Sequence, residues 1–405
     1  MAKKSSPLKQ MTEGKAKFYA PEAETASKNM GVFYNPVMKL NRDIAVLIIK
    51  SLISGLKEKN EKNAKIRIAD PLAATGIRSI RFLKETDAKK IECICVNDRS
   101  EDAVRLIQKN MALNKIKSAK GNIKTATGNK KGKIQVYCSD ANKFLDESQG
   151  FEYIEIDPFG CPNVFLERAV MRIKYGGIIA VTATDTSALS GTYPSACMRK
   201  YWSKPLLNHM MHETGLRILI RKVQLIGSQY GRALVPVFCH SSDHYMRVYF
   251  RADKGKQKTD EVLRQHGFLL FCKKCCRIQS SESNEMSCKT CNSKMECTGP
   301  LWTGKLWDVS LIKKMFEEST IDQSEGRKLL EAVKDEALID IPWFFDIHEM
   351  CSTLKKSSPP FKDIITAIKN KSRVVSQTHF SGTGIRTNMQ AEEVMEIIKG
   401  LGKKS

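Results

Sequence analysis

Residues Ile66 to Arg78 read IRIADPLAATGIR. A short apolar strand ends on the acidic Asp70, passes through a loop of small residues and enters a helix, the corner in which a nucleoside cofactor commonly lies. Only Gly76 stands where a dinucleotide fold needs the three glycines of G-x-G-x-x-G. No pyrophosphate cradle is expected, and a cofactor without phosphates is favoured over NAD.

Outward from this corner, from Lys65 to Thr184, apolar runs alternate with helical patterns, the signature of a parallel sheet flanked by helices. The expected strands are Ile66 to Ala69, Ile91 to Asn97, Ile134 to Cys138, Tyr153 to Ile156 and Ile178 to Thr182. They are almost uniformly apolar, as strands covered on both faces must be. Ser100 can cap a helix reaching Asn114, with Glu101 and Asp102 at its positive end. Lys115 to Lys133, which holds seven lysines, reads as a surface loop. Asp98 follows Asp70 by 28 residues at the end of the second strand, where a carboxylate can accept both ribose hydroxyls. Asp140 ends the third strand in YCSDA, where its carboxylate and the backbone at Ala141 can meet an adenine edge. One such acid is an ordinary cap or turn former. Three at successive strand ends suit a sulfonium and an ammonium group and would repel the phosphates of ATP, which points to S-adenosylmethionine.

The fourth strand ends in IEIDPFG, Ile154 to Gly160. An exocyclic amine on a nucleobase is a poor nucleophile, so a methyl acceptor of this kind needs a carboxylate to hold the amino group and withdraw its proton, and a flat surface for the ring. Asp157 supplies the first and Phe159 the second, with Pro158 making the turn rigid. The alternative reading is a plain strand-terminating turn.

After Asp185 a helix is expected near Met198 to Thr214, then strands Leu234 to Cys239 and Tyr245 to Arg251 that could complete the sheet. The charged run Arg251 to Thr259 marks a domain boundary, giving residues 1–252 and 253–405. In the second part, Cys272-x2-Cys275 and Cys288-x2-Cys291 stand twelve residues apart, a spacing that matches structural zinc sites. Four thiolates fill a tetrahedral shell and leave no position open for substrate, so the zinc is structural. Cys276 and Cys297 are alternative ligands. Near the end, Ile347 to Leu354 and Phe361 to Asn370 read as two helices joined through Pro359 and Pro360. Val374 to Phe380 and Ser381 to Arg386 then read as a strand and a wing.

The 405 residues carry 67 Lys and Arg against 44 Asp and Glu, a formal charge of +23, and that excess favours a polyanion as partner. No apolar stretch reaches the roughly 20 residues of a membrane helix, and the lysine-rich Met1 to Gln10 leads into no signal-like core. A cytoplasmic protein with no obligate protein partner is expected. Cys93, Cys95 and Cys138 sit singly in apolar strands and read as thiols, not disulfides.

Taken together, the motifs resemble those of the tRNA (guanine(26)-N(2))-dimethyltransferases of archaea and eukaryotes. The resemblance runs from Gly14 to Arg386 and is carried by VFYNPVMKLNRD (Val32 to Asp43), DPLAATGIR, NDRS, SDA, DPFG, SSDHYMRVYF (Ser241 to Phe250), GPLW (Gly299 to Trp302) and THFSGTGIRT (Thr378 to Thr387). It implies an α/β, Rossmann-like class I methyltransferase domain followed by an α+β domain with the zinc cluster and a winged-helix-like end. It also implies two methyl transfers to one guanine amine of tRNA. Carried over by motif, Arg42, Arg78, Asp98, Asp140 and Ala141 would contact the cofactor, beside Asp70, and Asp157 would be catalytic. Unaided, Arg42 reads as an exposed helix charge. Two other readings fit parts of the pattern. A methyltransferase for adenine amines would use the same acid, proline and aromatic, while a non-enzymatic zinc and winged-helix nucleic-acid binder leaves DPFG unexplained.

Overall fold

Every residue of the strand Ile66–Asp70 is buried, because it lies in the middle of an eight-stranded sheet and is covered on both faces. The computed structural model describes residues 7–22, 32–58, 63–120, 133–242, 244–319 and 325–401. The strand order is Ser118–Lys120, Ile134–Cys138, Ile91–Asp98, Ile66–Asp70, Phe151–Ile156, Ile173–Ala183, Tyr245–Lys254, Arg232–Ser242. The first six run parallel. Counted along the chain, the seven longer strands lie 3-2-1-4-5-7-6, which is the 3-2-1-4-5-6 order of a dinucleotide fold with a seventh strand inserted between the fifth and sixth. The order reverses between Ile66–Asp70 and Phe151–Ile156, so a crevice opens at their carboxyl ends.

Helices Lys39–Glu58, Ile77–Glu85 and Glu101–Leu113 pack in one row, and Ala141–Glu147 packs with Asn163–Arg172 in another. Ser100 caps its helix as its sequence predicts, accepting the Ala103 amide at 3.4 Å, with Glu101 and Asp102 in the first turn. A hairpin, Leu8–Glu13 with Ala16–Pro21, was not expected from the sequence. Asn110 fastens it: its side chain accepts from Tyr19 N–H at 2.7 Å and donates to Tyr19 and Thr75 carbonyls. The expected loop Lys115 to Lys133 contains a short edge strand, Ser118–Lys120; its residues 121–132 lie outside the described residues, as does Asp243 of the SSDHY motif.

The chain falls into two compact units, one within residues 1–182, 249–254 and 314–326, the other within 183–248, 255–313 and 327–405. In the second unit the single helix expected near Met198 to Thr214 is corrected to two, Pro194–Tyr201 and Met211–Gln229. Lys204 and Gly299 exchange both backbone hydrogen bonds at 2.9 Å, and Pro205, which has no amide to donate, keeps the residue before it extended. The cysteine loops belong to a three-stranded antiparallel sheet of Ile278–Ser281, His266–Phe271 and Glu296–Trp302. Helices Ile347–Leu354 and Phe361–Asn370 have the bounds expected, and Val375–Gln377, Gly384–Thr387 and Phe345–Asp346 form the antiparallel sheet beside them.

The THFSGTGIRT motif owes its place to a buried ion network. Arg386 bridges Glu213 at 2.7 Å and Glu336 at 2.8 Å, and Glu336 also accepts from Thr378 at 2.5 Å and meets His379 Nδ1 at 2.7 Å. Arg217 pairs with Glu213 at 2.8 Å and donates to the carbonyls of Trp302 and Gly304, which ties in GPLW. Burial raises the pKa of Glu336, but Arg386 and His379 outweigh it and hold the carboxyl at about 2. The charged form therefore stabilises the fold fully above the ordinary value of 4.5, and this contribution is lost as pH falls from 4.5 through about 2. Glu336→Gln should cost about 3–5 kcal/mol in urea unfolding near neutral pH, the penalty of an unmatched buried charge. A cost of about 0.5 kcal/mol, typical of a surface pair, would remove the network from its structural role.

Candidate active site

The carboxyl ends of the first three strands are laced together by one side chain. Asn97, fully buried, donates to the carbonyls of Pro71 at 3.0 Å and Ser139 at 2.9 Å, and its own carbonyl accepts from Ala73. Asp98, next along, accepts the Ala74 amide on one oxygen and the Ser100 amide on the other, each at 2.9 Å. Each oxygen keeps a further lone pair for a ribose hydroxyl. Gly76 opens the helix Ile77–Glu85 at φ 73°, and a Cβ there would stand 3.2 Å from Ile107; the corner needs glycine on both counts. Asp140 caps the helix Ala141–Glu147, one oxygen accepting from Asn142 and Lys143, and Ala141 is buried.

At the crevice, Asp70 is buried and takes a hydrogen bond from Ser79 Oγ at 2.7 Å. Arg78, 6% exposed, donates to Asp157 and to Asn41 at 2.8 Å, and reaches Glu155 at 3.5 Å. One guanidinium thus faces the ends of strands one and four. Pro158 is buried, while the Phe159 ring is 44% exposed and meets Phe33 edge-on at 4.4 Å between centroids. Sequence reasoning assigned no role to Asn41 or Phe33; their motif VFYNPVMKLNRD was the available signal.

Arg42 is not the exposed helix charge that a residue-by-residue reading expects. It is buried and grips Glu13 of the hairpin at 2.7 and 2.6 Å, and Glu13 also accepts from Arg81 at 2.7 Å. Burial works against the Glu13 carboxylate, but the two arginines prevail and lower its pKa. Glu13 carries no sequence signal of its own; only the fold brings it to Arg42.

In the second unit the sulfurs of Cys272, Cys275, Cys288 and Cys291 all lie within 4.8 Å of one another, with Cys272 to Cys291 at 3.4 Å and Cys275 to Cys288 at 3.6 Å. Among the described residues no other group of acids, histidines or cysteines converges so. Cys276 instead faces Thr353, 3.4 Å away, and Cys297 lies on the strand Glu296–Trp302 outside the quartet.

The sheet order and the acidic strand ends about its switch point define a class I S-adenosylmethionine-dependent methyltransferase. Residues 14–399 match the model of the N2,N2-dimethylguanosine tRNA methyltransferase family. The chain is 37% identical over 398 residues to the tRNA (guanine(26)-N(2)/guanine(27)-N(2))-dimethyltransferase of Aquifex aeolicus, spanning 96% of this chain and 95% of that one. To the tRNA (guanine(26)-N(2))-dimethyltransferase of Pyrococcus abyssi it is 36% identical, across 96% and 98% of the two. The structure of Trm1 from Pyrococcus horikoshii in complex with S-adenosyl-L-methionine superposes with a TM-score of 0.81 at 34% identity, covering 96% of this chain and all of that one. The chain belongs to the N2,N2-dimethylguanosine tRNA methyltransferase family.

Burial pushes the Asp70 carboxyl up to about 7, against the partial relief given by Arg78 and Ser79. A raised acid stabilises the fold while protonated: between 3.8 and about 7 the unfolded chain releases a proton that the fold keeps, so stability falls as pH rises across that window. Asp70→Asn lacks this titration, and its unfolding free energy relative to the wild type should rise from pH 4 toward pH 7. Parallel denaturation profiles for the two proteins would mean that Asp70 is ionised throughout.

Proposed function

We propose that this chain transfers two methyl groups from S-adenosylmethionine to the exocyclic N2 of guanosine 26 in tRNA, giving N2,N2-dimethylguanosine. The observation that carries the reading is the placement of the Asp157 carboxylate and the open Phe159 ring at the switch point of the sheet. In this reading Asp98 takes the ribose hydroxyls, and Asp140 with the Ala141 backbone takes the adenine. Asp70 lies beneath the amino-acid moiety, with Arg42 and Arg78 toward its carboxylate. When bound, S-adenosylmethionine supplies an electrophilic methyl carbon on a sulfonium. Asp157, with Pro158 holding the turn, accepts a hydrogen bond from the guanine amine. Asp157 would take the amine proton as the methyl carbon passes from sulfur to nitrogen, the sulfonium leaving as the neutral thioether. Phe159 and Phe33 offer ring faces and edges to the base. Monomethylguanosine retains one N–H, so the same acceptor serves the second transfer.

We assign the four converging thiolates to a structural zinc. Zn–S bonds of about 2.3 Å put tetrahedral sulfurs about 3.8 Å apart, close to the separations at Cys272, Cys275, Cys288 and Cys291. Residues 253–405 would be the domain that holds tRNA and residues 1–252 the domain that holds cofactor, in the cytoplasm where tRNA is found. No helix among the described residues is long and apolar enough to cross a membrane.

Transfer of radiolabel to unmodified tRNA, and its absence with tRNA carrying another base at position 26, tests the activity. Asp157→Asn keeps an acceptor for Arg78 and removes the charge, so the single-turnover rate should drop about two to four orders of magnitude while calorimetric cofactor affinity is retained. Turnover near the wild-type rate would remove Asp157 from the mechanism, and lost cofactor binding would make it a cofactor ligand instead.

The zinc assignment has its own readout. Purified protein should contain about one zinc per chain, released by strong chelator, and Cys288→Ser should lower the melting temperature more than it changes cofactor affinity. Equal metal content in the wild type and in a variant without all four cysteines would overturn it.

A further inference from the structure

The helix Pro194–Tyr201 buries Cys197 and Tyr201 on one side and presents an unusual surface on the other. Within fifteen residues, Tyr193 is 63% exposed, Met198 50%, Trp202 51% and Leu207 61%. Single exposed apolar residues need no explanation. These are grouped, and Met198 and Trp202 stand one turn apart, the Trp202 amide bonding to the Met198 carbonyl at 3.1 Å. Trp202 also closes the helix in the left-handed region, φ 57° and ψ 40°. Glycine or asparagine normally fills that position, and a bulky side chain there costs about 1–2 kcal/mol. The same backbone position turns the indole outward.

What surrounds the ring identifies the occupant. Lys222, 5% exposed, sets its ammonium 3.0 Å from the centroid of the Trp202 ring, so the inner face of the indole rests on a cation. An ammonium on one face draws π density toward itself and leaves the outer face better suited to an electron-rich heterocycle. Arg221 donates to the Trp202 carbonyl at 3.4 Å, and Arg199 is exposed on the helix. Aromatic and apolar faces interleaved with cations, on a chain of charge +23, match an unpaired nucleotide with its phosphate; a self-complementary dimer face would have to bring these cations against their own copies.

We propose that Trp202, flanked by Met198 and Tyr193, is a stacking platform for an unpaired base of the substrate tRNA, with Arg199 toward the adjoining phosphate. The inference rests on the tRNA reading of the preceding subsection.

The test compares wild type, Trp202→Ala and Trp202→Phe as full chains. It measures affinity for an unmodified tRNA transcript at several salt concentrations, cofactor affinity, methyl transfer and sedimentation. Loss of one stacked base, worth about 1–3 kcal/mol, should weaken tRNA binding by about 5- to 150-fold in Trp202→Ala, and phenylalanine should restore most of it. Cofactor affinity should not move. The slope of log affinity against log salt should also stay constant, since no phosphate contact is removed. Unchanged tRNA affinity in Trp202→Ala would overturn the proposal. So would a loss accompanied by a shallower salt slope, or a change in self-association with RNA affinity intact, which would assign the face to a second copy. A wild type that binds tRNA and transfers no methyl sinks the proposed activity and leaves the platform standing, so the two failures are distinguishable; a wild type that does not bind tRNA at all overturns both.

Discussion

One cation holds the reactive edge of the sheet together. Arg78 stands among Asp70, Glu155 and Asp157, with Asn41 fixing its remaining arm. Parallel strands that converge on a switch point bring their carboxyl ends together, and in this chain the ends of strands one and four carry these three acids. Without a buried guanidinium the carboxylates would repel one another in a poorly solvated crevice. Arg78 reaches them because Gly76 opens its helix in a conformation that glycine alone adopts freely. The small-residue loop after Asp70 is therefore as much a device for aiming Arg78 as a space for a ligand.

The amide side chains do for neutral groups what Arg78 does for charges. Asn97 spans the loops after strands one and three, and Asn110 locks the hairpin against Thr75 in the first of those loops. Through that hairpin Glu13 comes to Arg42 and Arg81. Side-chain bonds of this kind to backbone carbonyls fix loops that would otherwise carry unsatisfied polar groups.

These clamps mark the limit of what could be read from the chain alone. The five central strands were legible because burial on both faces makes them uniformly apolar, and the two helices from Ile347 onward because Pro359 and Pro360 separate them. The cysteine quartet was legible from spacing, and its geometry excludes Cys276 and Cys297 from the group. The helix break at Trp202 was missed because it is decided by backbone pairing of Lys204 with Gly299, far along the sequence. For the same reason Glu13 and Asn41 were invisible as site residues. Their partners are set by topology; nothing local distinguishes Glu13 from a surface polar residue, and Asn41 is marked only by its place in VFYNPVMKLNRD. Asp157, Asp98 and Asp70 could be placed at the carboxyl ends of their strands because a strand end is itself a local feature.

The two buried ion clusters differ in a way that separates structure from function. Around Arg386 the account closes: Arg217 and Arg386 face Glu213 and Glu336, with His379 alongside, and Glu336 is held at about 2, fully charged near neutrality. Around Arg78 it does not. One guanidinium faces three acids, and burial, relieved only in part by Arg78 and Ser79 and reinforced by Glu155 and Asp157, drives the Asp70 carboxyl to about 7. Perturbed buried carboxyls of this kind gather where a ligand or a reaction makes use of them. A sulfonium with its ammonium group supplies positive charge, and its arrival would let Asp70 ionise. In the proposed reading the acids gathered at this crevice are what draw the methyl donor into it.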